Sequence, residues 1–180
     1  MKKVNLLLIF LFSLILAGCG GESDSQQQAQ NQENDSEESI VENAVFTDLD
    51  GNEVSVGEYE GKLVLIDFWE TWCGPCLQVF PAMQDLRSEH PDKFEVLAVT
   101  VGLNEGPEEA KQFVERNDYD FEFLYDENDI FDRLGGQGIP FKVFIDPDGN
   151  LITIEMGSYG READYEKTKE LLAQYFEIEE

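Results

Sequence analysis

Apolar residues along this chain fall into short blocks of two kinds, and their order predicts a sheet covered by helices. Lys62 to Trp69 carries Leu63, Val64, Leu65, Ile66 and Phe68, apolar on both faces as a central strand requires. Phe94 to Val101 repeats the pattern, and Phe121 to Tyr125 is a shorter third strand. Helical spacing appears between them: Val79, Phe80, Met83 and Leu86 follow Pro75, and Ala110, Phe113, Val114 and Asn117 recur across Pro107 to Asn117. Pro81 is expected to bend the first of these helices. Ile130 to Leu134 reads as a short helix, and Glu162 to Phe176 as a closing one with Tyr165, Leu172, Tyr175 and Phe176 inward.

Turn chemistry predicts two hairpins. Val45 to Thr47 and Glu53 to Val56 flank Asp50-Gly51-Asn52, while Phe141 to Ile145 and Leu151 to Met156 flank Asp146-Pro147-Asp148-Gly149-Asn150. Both turns alternate acidic residues, but a calcium loop of the EF-hand kind needs its glycine sixth and a distant bidentate Glu; here glycine is fourth, between strands. Strands alternating with helices, then a terminal hairpin and helix, give an α/β sandwich on a central mixed sheet.

The amino terminus does not fit this pattern. Lys2 and Lys3 precede an apolar run from Leu6 to Leu16, and Leu16-Ala17-Gly18-Cys19 follows, which reads as a signal peptide over 1–18. The run is shorter than the roughly 20 residues a spanning helix needs. The ending resembles a bacterial lipobox, and that resemblance implies that Cys19 becomes a lipid-bearing first residue, anchored on the extracytoplasmic side. Gly20 to Ile40 is Gln, Asn, Ser, Glu and Asp with almost no apolar residue, so 19–40 is expected to be an unstructured tether reaching on the order of 25 Å. What remains, 41–180, is enough for one domain.

The chain's formal net charge of -27 excludes nucleic acid and anionic lipid headgroups as partners, since both require basic patches. Two readings of the acidity stand open: a solubilising surface, or adaptation to a saline exterior.

Trp72-Cys73-Gly74-Pro75-Cys76 carries the chemistry. Two cysteines at i and i+3, where a strand passes into a helix, form a reversible redox couple. Cys73 at the helix N-terminus is favoured as a thiolate and is the expected nucleophile. Cys76, one turn in and shielded, is the expected resolving thiol. Half a zinc site is the competing reading of such a pair, but the remaining ligands are missing: Cys19 is the only other cysteine and His90 the only histidine. No metal is expected. His90, before Pro91 at a helix end, reads as a solvated cap.

From about Val41 onward the chain resembles the thioredoxin superfamily, specifically the TlpA/ResA-like membrane-anchored thiol-disulfide oxidoreductases. The resemblance lies in Leu65 to Cys76, in Pro81, in the preceding hairpin, in the inserted helix around Phe113 and in Gly138-Ile139-Pro140. It implies a thioredoxin-like α/β/α sandwich with an N-terminal hairpin, a cis-proline loop at Ile139-Pro140 beside the cysteines, and docking of substrate on Trp72, Gly74, Pro75, Ile139 and Pro140. Trp69 is expected in the core. Asp67 stands where thioredoxins place a buried aspartate, and burial would let it take the proton of Cys76. Two positions depart from the branch: Val79 replaces a frequent Glu, and Phe141 a common Thr.

The expected activity is reduction of protein disulfides, with electrons from a membrane-embedded donor. Apocytochrome c is one substrate that the family implies. No cofactor beyond the Cys73–Cys76 couple is expected, and the chain should be monomeric. A disulfide-forming oxidase or isomerase, a peroxiredoxin-like peroxidase and a copper-handling module are the alternatives.

Overall fold

The computed structural model describes residues 36–178. The signal, Cys19 and most of the tether therefore lie outside the described residues. The elements are α1 (Glu37–Glu42), β1 (Val45–Asp48), β2 (Glu53–Ser55), a 3-10 turn (Val56–Tyr59), β3 (Leu63–Trp69), α2 (Gly74–Glu89) and β4 (Phe94–Thr100). They continue with α3 (Pro107–Val114), β5 (Glu122–Tyr125), α4 (Ile130–Arg133), β6 (Phe141–Ile145), β7 (Leu151–Met156) and α5 (Arg161–Tyr175).

The seven strands form one mixed sheet in the order β2-β1-β5-β4-β3-β6-β7. β3, β4 and β5 run parallel, while β6 is antiparallel to β3 and to β7. β3 and β4 lie at the centre with every residue buried, which is why their sequences are apolar on both faces. Val64, Ile66 and Phe68 face α1 and α4; Leu63, Leu65 and Trp69 face α2 and α5. This is the α/β/α sandwich expected.

Both hairpins form around Asx turns. Asp48 Oδ1 accepts the Asp50 and Asn52 amides at 2.8 Å, and Asp146 Oδ1 accepts Asp148 at 3.0 Å and Asn150 at 2.8 Å. Gly51 and Gly149 adopt φ of 91° and 88°, which only glycine takes without strain. These carboxylates satisfy their own turns.

The structure corrects the sequence reading in four places. The folded part starts before residue 41: α1, capped by the Ser36 hydroxyl on the Ser39 amide at 3.2 Å, buries Ile40 and Val41. A helix of this length gains its stability from that burial, which composition averaged over Gly20 to Ile40 hides. The helix α3 stops at Val114, and the Asn117 side chain donates to the Phe113 carbonyl at 2.8 Å. The buried face of α5 is Asp164, Thr168 and Leu172, with Tyr175 outward. His90 is half-buried rather than solvated, and its Nε2 is buried without a partner among the described residues.

The cysteine-bearing helix α2 is held firmly. Val79, Phe80, Ala82, Met83 and Leu86 are all buried, each larger one contributing about 1.5–3 kcal/mol. Arg87 at its last turn meets buried Glu95 of β4 at 2.6 Å. Pro81 lies within the helix, one turn beyond the cysteines.

Candidate active site

β3 delivers the chain to the site. Trp69, its last residue, is fully buried with ring centroids 4.8 Å from Phe80 and Phe113, so the strand end is fixed by an aromatic cluster. The next segment turns sharply, the Cys73 amide donating to the Glu70 carbonyl at 3.0 Å. Cys73 is then the N-cap of α2, and its Sγ accepts the Cys76 amide at 3.2 Å. A sulfur that accepts a helix N-terminal amide is stabilised as an anion once the disulfide opens.

Cys73 and Cys76 are joined in a disulfide, with Cα atoms 5.3 Å apart. Cys73 is 4% exposed and Cys76 fully buried, so an incoming partner meets Cys73 first. Trp72 beside it is 53% exposed. Gly74 has open space where a Cβ would be, and Pro75 sits in the first helical turn. The Ile139-Pro140 peptide bond is cis. Ile139 packs on the cluster that contains both cysteines, so the loop lies at the site.

Asp67 is fully buried on the α2 face of β3, the face shared by Leu65, Trp69 and the cysteines. Neither carboxyl oxygen has a hydrogen-bond partner among the described residues. Burial pushes its carboxyl up to about 8; the Lys142 ammonium pulls against this, and Asp164 adds to it.

That cation was not legible in the sequence. Lys142 stands directly across from Asp67 in the β3–β6 register and is 2% exposed. Its ammonium meets Asp164 of α5 at 2.9 Å and Glu155 of β7 at 4.0 Å. Asp164 also accepts the Ser158 hydroxyl at 2.5 Å. A lysine amid Phe141, Val143 and Phe144 was the available signal. The second missed feature is acidic: fully buried Glu70 follows Trp69, and its side chain meets Glu105.

The Redoxin family matches residues 30–172. The thiol-disulfide oxidoreductase ResA of Bacillus cereus is 31% identical across 97% of this chain and 96% of its own length. The chain belongs to the Redoxin family, in its TlpA/ResA-like branch. This redoxin is a thiol-disulfide oxidoreductase with the thioredoxin-like fold. The thioredoxin-like protein YneN of Bacillus subtilis is 34% identical over 61% of the chain and 65% of its own length. Among solved structures, a putative thiol:disulfide interchange protein DsbE from Chlorobium tepidum superposes with TM-score 0.64 at 26% identity, covering 73% of this redoxin and 92% of that chain. The exposed lipoprotein thioredoxin of Streptococcus pneumoniae gives TM-score 0.59 at 26% identity, covering 71% and 98%.

The place of Lys142 in this redoxin has a measurable consequence. Lys142→Met should move the Asp67 titration upward, because the attracting cation is lost, and Asp164→Asn should move it downward, because a repelling anion is lost. Carboxyl-carbon NMR of Asp67 across pH reads both. Shifts of the same sign in the two variants would break this electrostatic assignment.

Proposed function

We propose that this redoxin is a lipid-anchored, extracytoplasmic reductant of protein disulfides that works through Cys73, Cys76 and Asp67. The observation that carries the reading is the Cys73–Cys76 pair at the start of α2, on the sheet face that buries Asp67. In the reduced enzyme the Cys73 thiolate attacks one sulfur of a substrate disulfide. That S–S bond breaks, the leaving sulfur takes a proton, and a mixed disulfide forms on Cys73. Cys76 then gives its proton to Asp67 and attacks Cys73 Sγ; the bond from Cys73 to the substrate breaks, the second substrate sulfur leaves as a thiolate that takes a proton from water, and Asp67 returns its proton to water.

The proton transfer is well matched. An ordinary thiol ionises near 8.5, and burial places Asp67 at about 8, so the proton moves between groups of similar affinity. The cycle ends on the Cys73–Cys76 disulfide. A membrane-embedded donor returns two electrons and two protons.

Substrate docking falls to Trp72, Gly74 and Pro75, which adjoin Cys73 along the chain, and to Ile139 and Pro140 of the cis loop, whose Ile139 packs on the cluster holding both cysteines. Apocytochrome c, with two cysteines to be kept reduced, fits this chemistry. Anchoring rests on Cys19 within Leu16-Ala17-Gly18-Cys19, and the pneumococcal neighbour, itself an exposed lipoprotein, supports it. The Gly74-Pro75 dipeptide between the cysteines, shared with strongly reducing thioredoxin, supports reduction over oxidation.

Equilibration against dithiothreitol, with thiols trapped and weighed, tests the direction. A midpoint near the thioredoxin value of about −270 mV is expected, while one near about −120 mV, as in DsbA, would make the chain an oxidant and overturn the reading.

A further inference from the structure

Two acids hold the redox motif to the loop between β4 and α3. Glu70 Oε1 accepts the Val101 and Leu103 amides at 3.2 and 3.0 Å, pinning that loop. Glu105, farther along the same loop, accepts the Thr71 amide and the Thr71 hydroxyl, each at 2.5 Å. Glu70 and Thr71 are consecutive, so each segment grips the other. The Glu70 carbonyl also accepts the Cys73 amide, which carries the grip to the nucleophile.

Glu70 Oε2 is buried and finds no donor among the described residues, while the Glu105 carboxylate, bound to the adjacent Thr71, is the acid whose charge bears on it. Two ionised carboxylates repel, and a buried oxygen without a donor is costly. One proton on Glu70 removes both penalties, because the neutral acid donates to Glu105. Burial first, and then this bond, push Glu70 up to about 7. Burial would raise Glu105 as well, but the bonds from Glu70 and Thr71 outweigh it and leave Glu105 lowered.

The two joined segments bear two exposed apolar side chains, one of them next to Cys73. Trp72, 53% exposed, lies between Thr71 and Cys73, and Leu103, 49% exposed, lies on the pinned loop. We propose that Glu70 and Glu105 are positioning residues that share one proton, and that this proton holds Trp72 and Leu103 in the arrangement that docks a protein disulfide. The docking half rests on the reductase reading above; the shared proton does not. When the proton leaves, two charges face each other, the loop parts from Thr71, and docking weakens while the thiols keep their chemistry.

Other titratable groups border the clasp and are separable from it. Glu109 of α3 accepts the Gly106 amide at 2.9 Å, the Tyr125 hydroxyl of β5 stands over Gly102, and Asp67 and the cysteines lie along β3 and α2. In the oxidised full chain the cysteines do not titrate. Asp67→Asn removes the remaining buried acid of β3.

The experiment has two arms. In amide NMR of the oxidised protein and its Asp67→Asn variant, Thr71, Val101 and Leu103 should shift together with one midpoint near pH 7, and Glu70→Gln should abolish that transition. In insulin reduction, the parent KM relative to that of Glu70→Gln should rise about tenfold from pH 6 to pH 8, with the kcat ratio constant, since thiol ionisation cancels between the two. Gln keeps a neutral donor for Glu105, so Glu70→Gln should retain the low-pH KM throughout. Parent amides that do not titrate would overturn the clasp, even if the variant fails to fold. Amides that titrate while the KM ratio stays flat would overturn the docking role. Absence of insulin turnover in the parent would overturn the reductase reading and the docking half with it, and the amides would still decide the clasp.

Discussion

Asp67→Asn should leave the first attack by Cys73 at the parent rate and slow release of substrate about 10²-fold at pH 7. The first step is insensitive because the Cys73 thiolate is stabilised by amides at the start of α2 and owes nothing to the carboxyl. The second step is sensitive because Cys76 is fully buried and has lost its proton acceptor. The mixed disulfide should therefore accumulate transiently. Rising pH ionises Cys76 directly, so the defect should shrink above pH 8. Rapid-quench trapping across a pH series resolves the two steps; release at the parent rate at every pH would leave Asp67 without a chemical role.

The same variant should be more stable than the parent. A carboxyl whose folded value is raised to about 8 binds its proton more tightly in the folded state. Its contribution is full below the unfolded value near 4 and is lost as pH rises through 8, so the burden on the parent grows across that window. The melting-temperature gap between Asp67→Asn and the parent should widen from pH 4 to pH 8, by an amount corresponding to several kcal/mol. A slower enzyme that is harder to unfold is the combined signature.

Cys76→Ser should turn a catalytic cycle into a single capture. Cys73 can still attack, but no second thiol remains among the described residues to displace the substrate, and an external thiol must reach a residue only 4% exposed in the free protein. Losing an intramolecular nucleophile costs effective concentration, so turnover should fall at least about 10²-fold while a one-to-one adduct builds up. Intact mass should show the substrate on Cys73. A variant that turns over freely would mean that Cys76 does not resolve the intermediate.

Much of this site was legible because its signals are local. The two-sided apolar run before Trp72-Cys73-Gly74-Pro75-Cys76 marks a central strand feeding a helix, and an Asp within that run stands where the neighbouring positions are buried. The partners of Asp67 were not legible, because Lys142 meets it only through the β3–β6 register and Asp164 only through the packing of α5. For the same reason α5 turns Asp164 and Thr168 inward instead of Tyr175: the helix answers a buried lysine, which periodicity of apolar residues cannot reveal. Glu70 and Glu105 are 35 positions apart, joined by a loop return that no spacing rule encodes. The start of the fold was hidden by averaging, since Ile40 and Val41 close a stretch that is otherwise polar.

Dithiothreitol-driven reduction of insulin by the parent and by Cys73→Ser, side by side, tests the central claim most directly. Cys73 is the less covered of the two cysteines, and Cys76 is fully covered. The parent is expected to turn over, and Cys73→Ser to fall to the rate of dithiothreitol alone. Retained turnover in Cys73→Ser would contradict the assignment of the nucleophile and the mechanism built on it.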